Sequence, residues 1–162
     1  MFLSINHKKF DPYNIIISEK RKNNVMPGSD FHRLIFSDEF CSINGVFLHF
    51  TLTEINIDKY FNKIKCIFNN SHSNCNVIQT IKNIEKTILN KFQSNNNNNK
   101  IPSYRIYEQL QHSFIKLYGD DRIKYGKCAE VKFLLKISGI WASNQTNEVG
   151  LTFRFFIFNN LF

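Results

Sequence analysis

Apolar and polar residues alternate most regularly towards the end of the chain. Over residues 129–141, Ala129, Val131, Phe133, Leu135 and Ile137 fall on one side. Glu130, Lys132, Lys136 and Ser138 fall on the other, with Leu134 among them. Over residues 149–158, Val149, Leu151, Phe153, Phe155 and Ile157 share a side; Gly150, Thr152 and Arg154 oppose them, followed by Phe156 and Phe158. Two such arms around a polar, turn-forming middle predict a long β-hairpin. A slip of one residue would turn the whole apolar set towards water, so the pattern also specifies register.

Weaker patterns fill in the rest. Residues 14–18 read as a short strand and 19–24 as a charged, solvated connection; Pro27–Gly28 marks a turn. Residues 31–36 and 46–53 predict a second hairpin around Asn44–Gly45. In its second arm Val46, Leu48, Phe50 and Leu52 face one way, which leaves Phe47 and His49 on the other side. Residues 63–68 predict a strand and 69–76 a loop. Val77, Ile81, Ile84 and Ile88 recur at helical spacing and predict a helix over 77–92, with Asn76 as its N-cap. The Asn-rich stretch 93–100 reads as a flexible linker. A second helix is predicted over 103–118, stopped by Gly119, Asp120 and Asp121.

Strands at both ends and helices between them argue an α+β fold. The expected architecture is one domain over residues 1–162. It is a small antiparallel β-barrel or curled sheet, OB-like, of five to six strands, with two helices inserted before the long C-terminal hairpin.

Composition sharpens the picture. The 162 residues carry a formal net charge of +8, which points to an anionic partner, nucleic acid first. Lys, Asn, Ile and Phe all have AT-rich codons, so the placement of the cations is more informative than their number. No stretch resembles a signal peptide, and none approaches the roughly 20 apolar residues of a membrane span. The chain is therefore expected to be soluble and not secreted, with its four cysteines reduced. Cys66, His72, Cys75 and Cys128 lack the paired spacing of a zinc knuckle, so no metal is expected. No phosphate loop, nucleophile elbow or metalloprotease motif occurs, and the five histidines are scattered; a non-enzymatic protein without cofactors is expected.

Candidate binding chemistry lies on the polar side of the terminal hairpin. Lys132, Lys136 and Arg154 fit a phosphate track, joined by Arg33, Lys63 and Lys65. Phe47, Phe156 and Trp141 fit as stacking surfaces for bases. Trp141 also reads as a plug at the end of a strand, and the cations also read as an ordinary solvated face. The resulting expectation is a binder of single-stranded DNA or RNA. The alternative is a structural or protein–protein interaction module that self-associates through its aromatic tail and sheet edges.

The segments FHRLIFSDEFCSINGVFLHF, YRIYEQLQHSFIKLYG and FLLKISGIWASNQTNEVGLTFRF resemble stretches of small proteins of nucleocytoplasmic large DNA viruses, mimivirus-like ones especially. The resemblance spans about half of the chain and centres on the SGIW and GLTF pair. It implies a relation to viral OB-fold single-stranded-DNA-binding proteins, and a place in the host cytoplasm, at the viral factory, or in the virion. Such proteins end in an acidic tail, whereas this chain has no acidic residue after Glu148.

Overall fold

Alternation holds over long stretches of this chain, and where it breaks the sheet bends. A computed structural model describes residues 3–118 and 123–158. The predicted helix stop at Gly119, Asp120 and Asp121 lies outside the described residues.

The elements in chain order are β1 (Ile5–Asn6), β2 (Ile15–Ile17), β3 (Arg21–Lys22), β4 (Ser29–Ser37), β5 (Ser42–Asn44), β6 (Val46–Tyr60) and β7 (Lys63–Phe68). They continue with α1 (His72–Asn96), β8 (Ile101–Ser103), α2 (Arg105–Gln111), β9 (Phe114–Tyr118), β10 (Gly126–Ser143) and β11 (Glu148–Ile157). Among the described residues all eleven strands belong to one sheet, and only the β1–β6 and β8–β11 ladders are parallel. The fold is thus α+β and mostly antiparallel. Among the described residues it has eleven strands rather than the five or six expected, because edge strands of two or three residues are too short to show a period.

The terminal hairpin is the axis of the sheet. β11 runs along one edge of β10, with Lys136 opposite Arg154 and Leu134 opposite Phe156. Along its other edge β10 pairs first with β6, through residues 126–137, and then with β4, through residues 139–143. The expected hairpin of residues 31–36 with 46–53 is therefore corrected. β4 turns back onto β5, and the long apolar arms of β4 and β6 take successive places along β10. Gly45, at φ +92, makes the exit from that turn, a conformation that favours glycine.

The inner face carries the core. Val46, Leu48, Phe50 and Leu52 of β6 meet Val131, Phe133, Leu135 and Ile137 of β10, with Phe50 and Phe133 stacked at 5.6 Å. Ile78, Ile81, Ile84, Ile88, Leu89 and Phe92 of α1 close over them in one continuous apolar cluster. α1 starts five residues earlier than expected, because Ser71 rather than Asn76 caps it. It runs on to Asn96 and ends with Asn97 in the left-handed conformation. Lys100 then anchors the connection through Nζ to the Ser143 carbonyl at 2.7 Å.

The second helix is shorter than expected. Ser113, at φ +61, breaks it, and β9 follows with Ile115 and Leu117 buried against β7. The stretch FIKLY carries both periods, and pairing with the edge of β7 selects the strand.

Two breaks of alternation shape the sheet. At Glu54, φ +54, the buried positions of β6 pass from 46, 48, 50 and 52 to 55 and 57. Asn74 of α1 is buried against this bend. Its Oδ1 accepts from the Thr53 amide at 2.9 Å and its Nδ2 donates to the Thr53 carbonyl at 3.0 Å. The second break is the β-bulge between Ile137 and Gly139, and it determines where Trp141 points.

Candidate nucleic-acid interface

Residues opposite one another on neighbouring strands project from the same face. From the register, the outer face of β10 carries Lys132, Leu134 and Lys136, with Thr51, His49 and Phe47 of β6 opposite them. β11 adds Arg154 and Phe156. Strict alternation would send Trp141 inward with Ile137. The bulge shifts the count by one residue, so Gly139 and Trp141 emerge on the outer face beside Lys136. Opposite them β4 contributes Arg33 and Phe31, and β3 places Arg21 opposite Phe31. Hence Lys132, Lys136, Arg154, Phe47, Phe156, Arg33 and Trp141 all share one side of one sheet. No Asp or Glu interrupts that side between Lys132 and Trp141; Glu130, paired with Thr53, marks its end.

The rings on this face are dressed with cations. Lys136 Nζ sits 5.5 Å from the centre of the Phe47 ring, and Lys132 Nζ 4.8 Å from that of Phe158. Such contacts hold long side chains flat along the sheet, at about 0.5–1 kcal/mol each when exposed. Phe156 is 39% exposed. His49 is held below its ordinary pKa, first by burial and then by the charge of Lys132. Its Nδ1 is 2.9 Å from the Ser4 hydroxyl.

Trp141 occupies a different setting from the other rings. It is 2% exposed, and the Arg105 guanidinium lies 4.6 Å from its centre. Two glycines make the room. A Cβ on Gly150 would come within 2.5 Å of Trp141 Cζ2, and one on Gly139 within 2.3 Å of Phe31 Cζ. Each ring thus lies across a neighbouring strand at a position with no side chain. Stacking of a base directly on Trp141 would require Arg105 to move aside. Of the two readings of this residue, the plug describes its packing, although it lies on the outer face.

Next to Trp141 the face dips into a pocket of about 610 Å³, lined by Arg21, Lys22, Asn23, Asn24, Val25, Met26, Phe31, Arg33, Arg105, Trp141, Leu151, Thr152 and Phe153. Among the described residues its lining holds four cations and no acid. The nearest acidic group along β4, Asp30, is engaged by Lys20 at 3.9 Å. That contact is the only ion pair among the described residues. The stretch 19–24, expected as a solvated connection, supplies Arg21 and Lys22 to this lining, and the start of α2 supplies Arg105. A two-residue strand such as β3 shows no period, so only the pairing of Arg21 with Phe31 brings these charges to the site.

Lys63 and Lys65 are not brought to this place. They project from β7, beyond the Glu54 bend, where Lys65 and Lys116 both approach the Phe114 ring, at 4.9 and 5.2 Å. They form a second, smaller basic patch.

Among the described residues no three His, Cys, Asp or Glu side chains converge as a metal site. Cys66 is buried, and burial pushes its thiol up to about 12. No helix among the described residues is long and apolar enough to cross a membrane. The molecule belongs, by architecture, to the α+β class, with a long central hairpin that is apolar on its helix side and basic and aromatic on the other. No protein family, curated protein or solved structure matches the chain.

Proposed function

We propose that this protein binds single-stranded nucleic acid along the outer face of β6, β10 and β11, without catalysis. The supporting observation is the convergence of Lys132, Lys136, Arg154 and Arg33 with Phe47 and Phe156 on one side of one sheet. Phosphates would follow the cations, and bases would lie on the exposed rings. The four cations are spread along the strands rather than gathered at a point, which suits an extended chain better than a compact anion. Binding of this kind weakens steeply with salt and varies little with sequence. An OB-like use of the curled sheet, and a role inside an infected cell or virion, belong to the same proposal.

The test is fluorescence anisotropy of a labelled oligonucleotide across a range of salt concentrations, with the wild type and Lys132→Glu/Lys136→Glu. The double variant is expected to bind at least tenfold more weakly at low salt. Its plot of log affinity against log salt is expected to be shallower by about 1.4, from roughly 0.7 per phosphate contact. Equal binding by the two proteins would count against this face. A self-associating interaction module is the competing reading, favoured by the exposed Tyr60 and Phe61 at the β6–β7 tip. A discrete oligomer in light scattering, indifferent to oligonucleotide, would support it.

A further inference from the structure

We infer that the pocket beside Trp141 binds a nucleoside phosphate and, when a strand lies on the outer face, receives that strand's phosphorylated end. For the strand itself the inference rests on the proposed function; for a free nucleotide it stands alone.

The chemistry of the lining points to this ligand. Arg21, Lys22, Arg33 and Arg105 line one cavity, Lys22 being paired opposite Asp30, and no carboxylate is among the described lining residues. Like charges gathered without a counter-ion repel one another, so an anion that joins them relieves that repulsion and gains charge-assisted hydrogen bonds. Arg105 is already oriented. Its Cζ lies 4.6 Å from the centre of the Trp141 ring, which holds the guanidinium at the cavity wall, and the planar fork of N–H groups on a guanidinium suits two phosphate oxygens. The remaining wall combines the flat ring of Phe31 and the apolar Val25, Met26, Leu151 and Phe153 with the polar Asn23, Asn24 and Thr152. A volume of about 610 Å³ falls within the roughly 300–1,000 Å³ of small-ligand sites. Cations beside a flat ring match a phosphate joined to a planar base better than they match an inorganic ion.

The position favours a strand end. Arg33 belongs both to the outer face and to the pocket lining, so a strand following Lys136 and Arg154 is led towards it. Beyond Arg33 the turn at 23–28 walls the cavity. That turn is preformed: Asn23 Oδ1 accepts from the Val25 and Met26 amides at 3.0 and 3.1 Å, and the Asn144 amide donates to the Gly28 carbonyl at 3.2 Å.

The experiment compares one short oligothymidylate carrying a phosphate at its 5′ end, at its 3′ end, or at neither, by anisotropy competition. The proteins are the wild type, Arg21→Gln/Arg105→Gln and Lys132→Glu/Lys136→Glu. With wild type, a phosphate at one of the ends is expected to tighten binding about tenfold, the scale of one strong charge-assisted contact pair. The Arg21→Gln/Arg105→Gln variant should lose that gain, while Lys132→Glu/Lys136→Glu should weaken all three oligonucleotides together. No gain at either end, or a gain that survives in Arg21→Gln/Arg105→Gln, would overturn the inference. A direct titration of adenosine 5′-monophosphate, read by emission from Trp141, separates the two proposals. Should no oligonucleotide bind, the proposed function fails, and the pocket then stands or falls on whether this nucleotide changes Trp141 emission and inorganic phosphate at the same concentration does so less.

Discussion

The two faces of β10 are made from one stretch of backbone and differ in almost every other respect. Inward, Val131, Phe133, Leu135 and Ile137 lie in the cluster that α1 closes, and the two buried polar side chains of that helix are matched closely. Asn74 occupies both backbone groups of Thr53, and the Glu85 carboxylate accepts from the Ile106 and Tyr107 amides at 3.1 and 2.9 Å. Outward, Lys132, Lys136, Arg154 and Phe156 share one face of the sheet, and among the described residues of that face the cations outnumber the acids. The inward side chains are held in the apolar cluster, whereas the outward cations lie along rings of the same face, Lys136 on Phe47 and Lys132 on Phe158. The inner face carries the core and the outer face the proposed binding, and each can be broken separately.

The largest effect on stability is expected from Phe133→Ala. The ring is fully buried and stacked on Phe50, and its removal should cost about 3–5 kcal/mol in denaturant unfolding. A loss below about 1 kcal/mol would mean that the inner face is not the core.

Next comes the pH dependence of Glu85. Burial pushes its carboxyl from 4.5 up to about 7, against the two amides that favour its ionised form. The native state therefore holds this proton more tightly than the unfolded chain between those two values. Stability from this group is full below pH 4.5, falls as the pH rises towards 7, and is lost above it, a change of roughly 3 kcal/mol. Glu85→Gln should flatten that slope in unfolding curves taken from pH 4.5 to 8. An unchanged slope would place the titration elsewhere.

Asn74→Ala is expected to cost about 1–3 kcal/mol, because it strands the Thr53 amide and carbonyl at the bend. Chemical denaturation measures it, and Asn74→Asp distinguishes the lost acceptor from the lost donor.

The smallest stability change is expected from Lys132→Glu/Lys136→Glu, about 1 kcal/mol or less, in the variant that should lose most of its oligonucleotide binding. That inversion of effects is what the comparison of the faces predicts.

The long hairpin, the inner set of β6 and the Ile81–Ile84–Ile88 stripe of α1 are legible in the sequence because each is long enough to establish a period. The hairpin's outer residues follow directly from the same alternation, which is why Lys132, Lys136 and Arg154 are found together as expected. The pocket is not legible. It depends on a one-residue bulge that reverses the direction of Trp141, on a two-residue strand that delivers Arg21, and on a helix start that swings Arg105 over the ring. None of these leaves a repeating pattern. β4 and β6 illustrate a different limit: their alternation is plain, but the turn at Asn44–Gly45 suggests pairing with each other, and β10 offers both of them a longer apolar partner.

The central claim is that the outer face of β10 binds nucleic acid through its cations and rings. The most direct measurement is the affinity of a single-stranded oligonucleotide for the wild-type protein as salt is raised from about 50 to 200 mM. For four phosphate contacts the account predicts a fall of about fiftyfold over that range, with Phe156→Ala weakening binding further at every salt concentration. Affinity that does not change with salt, or no binding at the lowest salt, would contradict it.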